Sequence, residues 1–432
     1  MLNSFRVHSG ESRPSHFSDS SPTREELLLF FCILVAGSTR LLRWSFLSGN
    51  LAGAESPILY QAATLGFNYF ELGPVRRGLG GSIVYLLSDN ALLGTAIFYL
   101  LSAVAVAAGA CLLFARLRAP LLTRATYALV MLAIMMRWAE DAGRTDVAVA
   151  ALLAFAAHAM ARGRSALACA WVGLGVLIHE SSVIFGLPLL AALALRHGWR
   201  SIPARGWWGG AGVLGFALAA FLVVVWLPQT SPGTMVDVVR SKFSSHPIAD
   251  WAIYFAVSGA RGVQMSICQN LNDPTYWLHV SGGILVIALA AVALSRAPAR
   301  DWPAIALATL PPFLFLSVVA NDFSRWTNLA SFNLWLLLIS TPQARAGARL
   351  PRWLAPMAAV LFLLLSHPLL YGLELQHDLA LRFEGDRRIY AGSPVIERIV
   401  RKLGAPRTPS FPESLQRCDP TWRDVLDRAP RP

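Results

Sequence analysis

Residues 166–195 have the sequence ALACAWVGLGVLIHESSVIFGLPLLAALAL, which is apolar throughout except where His179 and Glu180 interrupt it together with two serines. One straight helix of this length would measure about 45 Å, half as long again as the hydrocarbon core of a membrane. Irregular backbone at membrane depth is tolerated where it lines a cavity or is buried in protein. The sequence therefore predicts two short helices, 166–178 and 182–195, that meet at the His-Glu pair.

The same apolar character recurs along the rest of the chain. Of the 432 residues, 55% are apolar and 14% are charged, whereas soluble domains carry about 25% charged residues. This composition excludes an ordinary soluble enzyme. Further apolar stretches of plausible length for membrane spans occur at 26–47, 91–115, 121–137, 145–161, 207–227, 276–295, 303–320, 328–341 and 353–373. With the broken hairpin, they predict an all-α, polytopic integral membrane protein of about eleven transmembrane helices.

Arginine is concentrated in five of the connecting loops, which contain thirteen arginines and a single acid, Asp301. The arginines are Arg116, Arg118, Arg124, Arg162, Arg164, Arg196, Arg200, Arg205, Arg296, Arg300, Arg345, Arg349 and Arg352. These loops lie on one side only if 166–195 makes two passes, and the positive-inside rule places that side in the cytoplasm. The net charge of +12 is therefore interpreted as a topology signal, and nucleic acid is excluded as a partner.

Three regions follow from this topology. Residues 1–25 are polar and contain no apolar run, so we expect a disordered cytoplasmic tail rather than a signal peptide. Residues 26–373 form the transmembrane domain, and 374–432 form a periplasmic C-terminal tail. The expected location is the bacterial inner membrane, with the N-terminus in the cytoplasm and the C-terminus in the periplasm. Nearly all acids lie on the periplasmic side, where we expect the function.

The chain has five cysteines, of which only Cys268 and Cys418 are predicted to lie outside the cytoplasm and the membrane. In an oxidising periplasm they either form a disulfide, which would tie the tail to the loop 228–275, or stay free. No Cys/His spacing is typical of a metal site. The sequence therefore indicates no metal and no other cofactor, although a divalent metal that bridges a diphosphate stays open.

The first periplasmic loop contains the sequence FELGPVRRGLGG at 70–81, which includes Glu71, Arg76 and Arg77. The apolar residues that follow are too few to span a membrane, so we expect short membrane-parallel helices here. An arginine pair beside glycines suits a phosphate or diphosphate at the membrane surface. The alternative is that both arginines extend to lipid headgroups.

Two other periplasmic turns are dense in charge. The turn at 137–146 contains Asp141, Arg144 and Asp146. If Thr145 opens the next helix, the carboxylate of Asp146 could simply stabilise the first turn, and Asp141 could form structural bridges with the nearby arginines. The turn at 321–326 contains Asp322, Arg325 and Trp326. Its residues are either a helix cap with an interfacial tryptophan or a second arginine of an anion site with a tryptophan that stacks on a sugar.

His179 and Glu180 interrupt the hairpin at its turn. Ionisable residues inside a membrane are candidates for function, and a histidine beside a carboxylate could act as a general base or hold a substrate hydroxyl. The alternative is a buried structural pair.

These features together resemble bacterial glycan-assembly proteins, namely the GT-C glycosyltransferases and the related polysaccharide polymerases of the Wzy and EpsG type. The resemblance rests on residues 70–81, 141–144, 179–180 and 322–326 and on the large first periplasmic loop. It implies an undecaprenyl-linked sugar donor, a carboxylate base near the periplasmic surface, and arginines that hold the lipid phosphate.

The resulting hypothesis is that the protein transfers a sugar or oligosaccharide from a polyprenyl (di)phosphate to a glycan or lipid acceptor, with polysaccharide assembly proteins as further partners. Asp141 is the first candidate for the base, Glu180 assisted by His179 is the second, and Glu71 is the third. The substrate-binding candidates are Arg76, Arg77, Arg144, Asp146, Asp322, Arg325 and Trp326. The alternatives are a transporter or flippase of a lipid-linked or anionic substrate, and a structural subunit of an assembly complex.

Overall fold

The computed structural model describes residues 23–47, 58–73, 75, 77–117, 119–140, 142–197, 204–226, 232–243, 260–272, 276–294, 302–320, 323–340, 353–366 and 417–418. Within these ranges the chain forms α-helices and no β-strand, which confirms the all-α class. The helices are α1 (Arg24–Leu47), α2 (Leu59–Thr64), α3 (Tyr69–Leu72), α4 (Gly78–Leu87), α5 (Ala91–Phe114), α6 (Leu121–Glu140), α7 (Asp146–Ala161), α8 (Ser165–Ile178), α9 (Ser181–His197), α10 (Ala204–Trp226), α11 (Pro232–Phe243), α12 (Ala260–Asn272), α13 (Tyr276–Leu294), α14 (Trp302–Val319), α15 (Phe323–Ser340) and α16 (Leu354–Ser366).

A helix lies at each of the apolar stretches that the sequence marks. Four helices within the described ranges are both long and apolar enough to cross a membrane, and they occupy Ala91–Phe114, Leu121–Ala139, Tyr276–Leu294 and Trp302–Val319. Several others, including α7, α8 and α9, are apolar but shorter. The structure is therefore that of an apolar helical bundle typical of a multi-pass membrane protein, while the number of passes stays a prediction.

The apolar stretch 166–195 is divided in two at the expected place. Helix α8 ends at Ile178, His179 has extended backbone, and α9 begins at Ser181. The two helices pack against each other, and the Ser182 hydroxyl donates a hydrogen bond of 2.9 Å to the carbonyl oxygen of Val172. The His-Glu pair therefore lies in the turn of a helical hairpin, as the sequence predicts.

Helix α15 forms the centre of the bundle. Every residue from Trp326 to Ser340 is buried, and α15 packs against α6, α7, α9, α13 and α14. Its polar side chains bond to neighbouring backbones: the Asn328 amide donates to Ile134 at 3.2 Å, and the Asn333 amide donates to Phe185 at 2.9 Å. A helix buried on all sides belongs in the core of a bundle, so its first turn lies in the middle of one end of the molecule.

Helix α15 is longer than the apolar span that the sequence marks at 328–341. It begins five residues earlier, at Phe323, within the turn for which the sequence leaves a helix cap open. Phe323 and Trp326 are both buried, so the first turn has an apolar face that the polar letters around it conceal. Arg325 and Trp326 therefore belong to the first turn of the central helix and not to a connecting turn.

The two ends of the bundle carry different chemistry. At one end, called here the basic end, Arg116 donates a hydrogen bond of 2.9 Å to Ala161 and Arg124 forms an ion pair of 2.8 Å with Glu25. The first contact joins the ends of α5 and α7, and the second joins the starts of α1 and α6. The Cys111 thiol near the end of α5 also contacts the carbonyl oxygen of Glu26 in α1, and Arg124 lies over the ring of Phe114 at the end of α5. The starts of α7, α9 and α15 and the end of α8 lie at the opposite end. From α5 to α9, consecutive helices thus alternate in direction, as successive passes through a membrane do.

The loop before α5 contains three short helices, α2, α3 and α4, that fold back onto the bundle. Helix α4 packs against α5 and α8, and its glycines make this possible. A Cβ atom at Gly81 would overlap the backbone carbonyl of Phe67, and Gly80 lies against Leu65 and Ile178. This close packing brings the start of α4 to the turn between α8 and α9.

Cys268 in α12 and Cys418 are joined by a disulfide, which is the paired alternative of the two that the sequence leaves open. The bond links positions that are 150 residues apart in the chain. It therefore ties the C-terminal segment to the helix that precedes α13. Cys32, Cys111 and Cys169 are free.

Candidate functional site

Arg325 and Asp146 form a buried ion pair between the first turns of α15 and α7. The Arg325 Nη2 group donates to Oδ1 of Asp146 at 2.6 Å, and its Nε group donates to Oδ2 of the same carboxylate. Asp146 is 1% exposed. Two parallel hydrogen bonds of this kind fix both the orientation and the position of a guanidinium. The carboxylate of Asp146, interpreted from sequence as a helix-terminal charge, is therefore also the partner of an arginine 179 positions away.

Arg77 and Glu180 form a second two-bonded pair. The Arg77 Nε group donates to Oε2 of Glu180 at 2.9 Å, and its Nη2 group donates to Oε1. Both side chains are partly exposed. Arg77 therefore binds the carboxylate in the hairpin turn, across 103 positions of the chain.

The backbone of Arg77 is left-handed, with φ of +61°. It is the one residue other than glycine with positive φ in the described part of the chain. Such a conformation is uncommon for a residue with a Cβ atom, and strained backbone of this kind clusters at functional sites. Arg77 immediately precedes α4, so this conformation sets the direction in which the side chain leaves the helix start.

His179 lies between the two pairs. Its Nε2 atom is 3.2 Å from Nη2 of Arg325, and its Nδ1 atom is 3.1 Å from the backbone nitrogen of Ser181 and 3.8 Å from Oε2 of Glu180. A guanidinium and a backbone N–H group are donors without acceptor capacity. Both ring nitrogens therefore face donors, and the ring links Arg325 to the turn that contains Glu180.

The five residues form one continuous network, called here the central polar network: Arg77, Asp146, His179, Glu180 and Arg325. They come from the start of α4, the start of α7, the turn between α8 and α9, and the start of α15. The network contains two guanidinium groups, two carboxylates and one imidazole. Such a set can hold an anion through the arginines and accept a proton through the histidine or a carboxylate.

Glu71 belongs to a neighbouring cluster. Asn68 caps α3 by accepting from the backbone nitrogens of Phe70 and Glu71 at 3.0 and 2.9 Å, and its amide also donates to the Glu71 carboxylate. Lys242 of α11 forms an ion pair with that carboxylate, and its Nζ atom lies 5.6 Å from the centre of the Tyr85 ring. Glu71 therefore has partners of its own outside the central polar network.

The remaining candidates have mixed positions. Arg76, Asp141 and Asp322 lie outside the described residues, so their roles rest on the sequence alone. Arg144 is half-buried in the turn before α7. The preceding residue, Gly143, has φ of +92° and packs closely against Ile58 and Thr95.

Trp326 is buried, and the guanidinium of Arg325 lies 4.4 Å from the centre of its ring. This contact is a cation–π interaction that supports the arginine. The tryptophan ring thus packs against Arg325. Stacking of this ring on a sugar, which is one alternative from the sequence, stays a prediction.

Sequence reasoning missed two polar residues beside these clusters. Lys242 is one of only two lysines in the chain, which is the signal that could have marked it. His279 is buried in the first turn of α13, where its ring stacks on Phe323 at 5.4 Å between centres. An ionisable residue within an apolar helix is a candidate in its own right, and this histidine supports the start of α15 two residues before Arg325.

Metal-ligand chemistry is sparse in the part of the chain that the structure describes. Within it, no three or more side chains of histidine, cysteine, aspartate or glutamate are grouped so that they could hold a metal ion. The central polar network contains three such side chains, but its two carboxylates are each occupied by an arginine.

No known protein family, curated protein or solved structure matches this chain. The functional conclusion therefore depends on the residues of the site and their geometry.

Proposed function

We propose that the protein crosses the bacterial inner membrane about eleven times, with its N-terminus and basic end in the cytoplasm and the central polar network at the periplasmic end. The alternating direction of the helices supports this topology, since the end of α5 meets the starts of α1 and α6 and the end of α7. The disulfide between Cys268 and Cys418 supports a periplasmic C-terminal tail, because disulfides persist in oxidising compartments.

At the periplasmic end we infer a glycosyl-transfer site that takes a sugar or oligosaccharide from a polyprenyl (di)phosphate and gives it to a glycan or lipid acceptor. The observation that carries this proposal is the convergence of Arg77 and Arg325, from distant helix starts, around His179 and Glu180. The planar guanidinium of an arginine can donate two hydrogen bonds to a phosphate at once, whereas the ammonium group of a lysine acts as a point charge. A group that can accept a proton lies directly between them.

In the proposed reaction the acceptor hydroxyl oxygen forms a bond to the anomeric carbon, while the bond between that carbon and the phosphate oxygen breaks. The hydroxyl proton goes to a base, and the phosphate leaves with its extra negative charge. Arg77 and Arg325 would stabilise that charge. Phosphate oxygens that replace Glu180 on Arg77 would release this carboxylate, so that Glu180 with His179 can accept the proton.

Two other acids remain candidates for the base. Asp141 is the first candidate from sequence, and it stands five residues before Asp146 of the central polar network. Glu71 is held by Lys242 and Asn68.

Cells that lack the protein test the proposal when their surface glycan and their lipid-linked precursors are analysed. We expect loss of a glycan and accumulation of its lipid-linked precursor on the outer leaflet of the inner membrane. Re-expression of the wild-type chain should restore the glycan, and the Arg77→Asn variant should not. Normal glycan without accumulated precursor in the deleted strain would contradict the proposal.

A transporter of a lipid-linked or anionic substrate is the second candidate, and the break between α8 and α9 favours it. Ionisable residues within the membrane often mark the pathways of substrates or ions in transporters. The same measurement separates the two candidates, because a flippase defect leaves the precursor on the inner leaflet. The position of the polar network at one end of the helices supports the transferase.

A further inference from the structure

The link between α14 and α15 is held from both sides by the two helices that precede it in the chain. Helix α14 ends at Val319, and α15 begins at Phe323, two residues before Arg325 of the central polar network. Helix α12 packs against α14, and α13 packs against both α14 and α15. These two helices thus contact the chain immediately before and immediately after the link.

Asn270, in the last turn of α12, binds the end of α14. Its amide nitrogen donates to the carbonyl oxygens of Ser317 and Val318, both at 3.0 Å, and makes a longer bond of 3.5 Å to that of Ala320. The last carbonyl groups of a helix have no partner within the helix. The buried side chain of Asn270 supplies these bonds, and it thereby fixes the point at which the chain leaves α14 for α15.

Helix α13 holds the other side of the link through Phe323. The Phe323 ring is fully buried and lies against two rings from the first turn of α13. His279 stacks on it with 5.4 Å between centres, and Tyr276 meets it edge to face at 5.6 Å. Aromatic rings favour such arrangements over others, so the contacts define where the first residue of α15 lies.

The disulfide adds a covalent anchor to α12. Cys268 lies two residues before Asn270 in the same helix, and its partner Cys418 packs against the hydrophobic core. Helix α12 lies at the surface, where Val263 and Leu271 are exposed. The disulfide therefore fastens a peripheral helix beside the residue that binds the end of α14.

We propose, on the basis of the glycosyl-transfer function above, that Asn270 and His279 are positioning residues for Arg325. They hold the start of α15 so that the Arg325 guanidinium keeps its place in the central polar network, and the disulfide anchors the helix that contains Asn270. They act through the end of α14 and through Phe323, and not on the substrate. A misplacement of about 1 Å can reduce the rate of an enzyme about 100-fold, so these remote contacts affect the reaction.

Hydrogen–deuterium exchange of the full-length protein in detergent tests the positioning without any assay of function. We expect the backbone amides of 323–330 to exchange about tenfold faster in the Asn270→Ala variant, because the end of α14 loses its bonds. The amides of α5 should exchange as in wild type. Asn272→Ala is the matched control, since Asn272 is exposed in the same helix and its amide donates to the carbonyl of Cys268 within that helix.

The rate of sugar transfer in isolated membranes, expressed per folded molecule, tests the effect on the reaction. We expect Asn270→Ala and His279→Ala each to lower kcat about tenfold and to leave KM for the acceptor unchanged, because Arg325 stabilises charge on the leaving phosphate. The His279→Phe variant keeps a ring on Phe323 and should recover most of the rate. A purely structural role would lower the amount of folded protein and leave kcat unchanged.

The Cys268→Ser/Cys418→Ser double variant tests the anchor. Both the exchange at 323–330 and kcat should change in the same direction as in Asn270→Ala, and by less. The Cys32→Ser variant removes a free cysteine and should match wild type.

The proposal is overturned if Asn270→Ala and Asn272→Ala give the same exchange and the same kcat, or if the double variant matches wild type in both. If Asn270→Ala does not fold, His279→Ala makes the same test from the side of α13. Absence of sugar transfer by the wild-type protein would contradict the proposed function instead. The exchange measurement would then still decide whether these residues hold the start of α15.

Discussion

Arg325 and Asp146 lie 179 positions apart in the chain and meet through two hydrogen bonds at the starts of α15 and α7. Since α15 is the central helix of the bundle, this pair fixes the core helix to its neighbour at the end where the candidate site lies. The same guanidinium reaches His179 at 3.2 Å. The pair is therefore both a structural joint and a part of the central polar network.

We expect the Asp146→Ala variant to be destabilised by about 3–5 kcal/mol, because it leaves the charge of Arg325 buried without this partner. Urea unfolding in detergent, followed by tryptophan fluorescence, measures the change. The double variant Asp146→Leu/Arg325→Met removes both charges and should recover most of the lost stability. It should nevertheless fail to form glycan, since the anion-binding arginine is gone. Full activity of the double variant would show that the pair is structural only.

Arg77 offers a test of the guanidinium without a change of backbone. Asparagine tolerates left-handed backbone better than other residues, so Arg77→Asn keeps the conformation with φ of +61° and removes the charge. We expect glycan formation to fall by about 100-fold, as for the loss of one donor to a developing oxyanion. The Arg77→Lys variant keeps the charge and loses the two-bonded geometry, so its activity should lie between that of wild type and that of Arg77→Asn. A rate assay on isolated membranes with lipid-linked donor makes the comparison.

The helices could be predicted from the sequence, because a helix in an apolar environment needs apolar residues along its whole length. The break at His179 and Glu180 could be predicted for a similar reason, since the apolar stretch is too long for one pass and polar residues stand at its middle. The start of α15 stays open in the sequence, because Arg325 is polar while its neighbours Phe323 and Trp326 form the buried face of the first turn.

The pairings of the site could not be predicted either. Arg77 with Glu180, and Arg325 with Asp146, join helix ends that become neighbours only when the bundle assembles. Sequence spacing instead favours local partners, such as Asp141 with the arginines of the same turn. The residue types of the site are thus visible in the sequence, while their partners depend on tertiary packing.

Gly81 tests how the site depends on the packing of α4. A methyl group at Gly81 would overlap the carbonyl oxygen of Phe67, which is backbone and cannot turn aside. We expect Gly81→Ala to lose about 1–3 kcal/mol of stability and to lose glycan formation, because the shift of α4 moves Arg77 away from Glu180. Thermal unfolding and the membrane assay report the two effects.

Gly212 is the matched control for this substitution. It lies in α10, and nothing is within 4 Å of its Cβ position. The Gly212→Ala variant should therefore be as stable as wild type or slightly more so, since alanine favours a helix by about 1 kcal/mol. If Gly81→Ala behaves like Gly212→Ala, then α4 is not held as the structure has it.

The disulfide gives a direct test of topology. In intact spheroplasts, a membrane-impermeant maleimide should label the Cys418→Ser variant at Cys268 without reduction, and should label wild type only after reduction. The free cysteine Cys111 is the internal control. Its thiol lies near the basic end, 3.4 Å from the carbonyl oxygen of Glu26, so the reagent should not label it in intact spheroplasts. Labelling of Cys418→Ser only after the membrane is permeabilised would contradict the periplasmic position of this segment.

The three candidate bases can be separated because their surroundings differ. The Glu180 carboxylate binds Arg77 and lies 3.8 Å from the His179 ring. The Glu71 carboxylate is instead bound by Lys242 and Asn68. We expect Glu180→Gln to reduce glycan formation at least 100-fold, in the range that general-base catalysis contributes, and Glu71→Gln to keep most of it.

Asp141→Asn decides whether the sequence or the described geometry names the base. If it abolishes glycan formation while the protein still inserts and Glu180→Gln retains partial activity, Asp141 accepts the proton and Glu180 positions Arg77. If only Glu180→Gln is inactive, the hairpin turn supplies the base. The dependence of the rate on pH, measured for both variants, separates these cases further. Loss of the base removes the titration of that group from the pH profile, whereas loss of a positioning residue lowers the rate and leaves the titration in place.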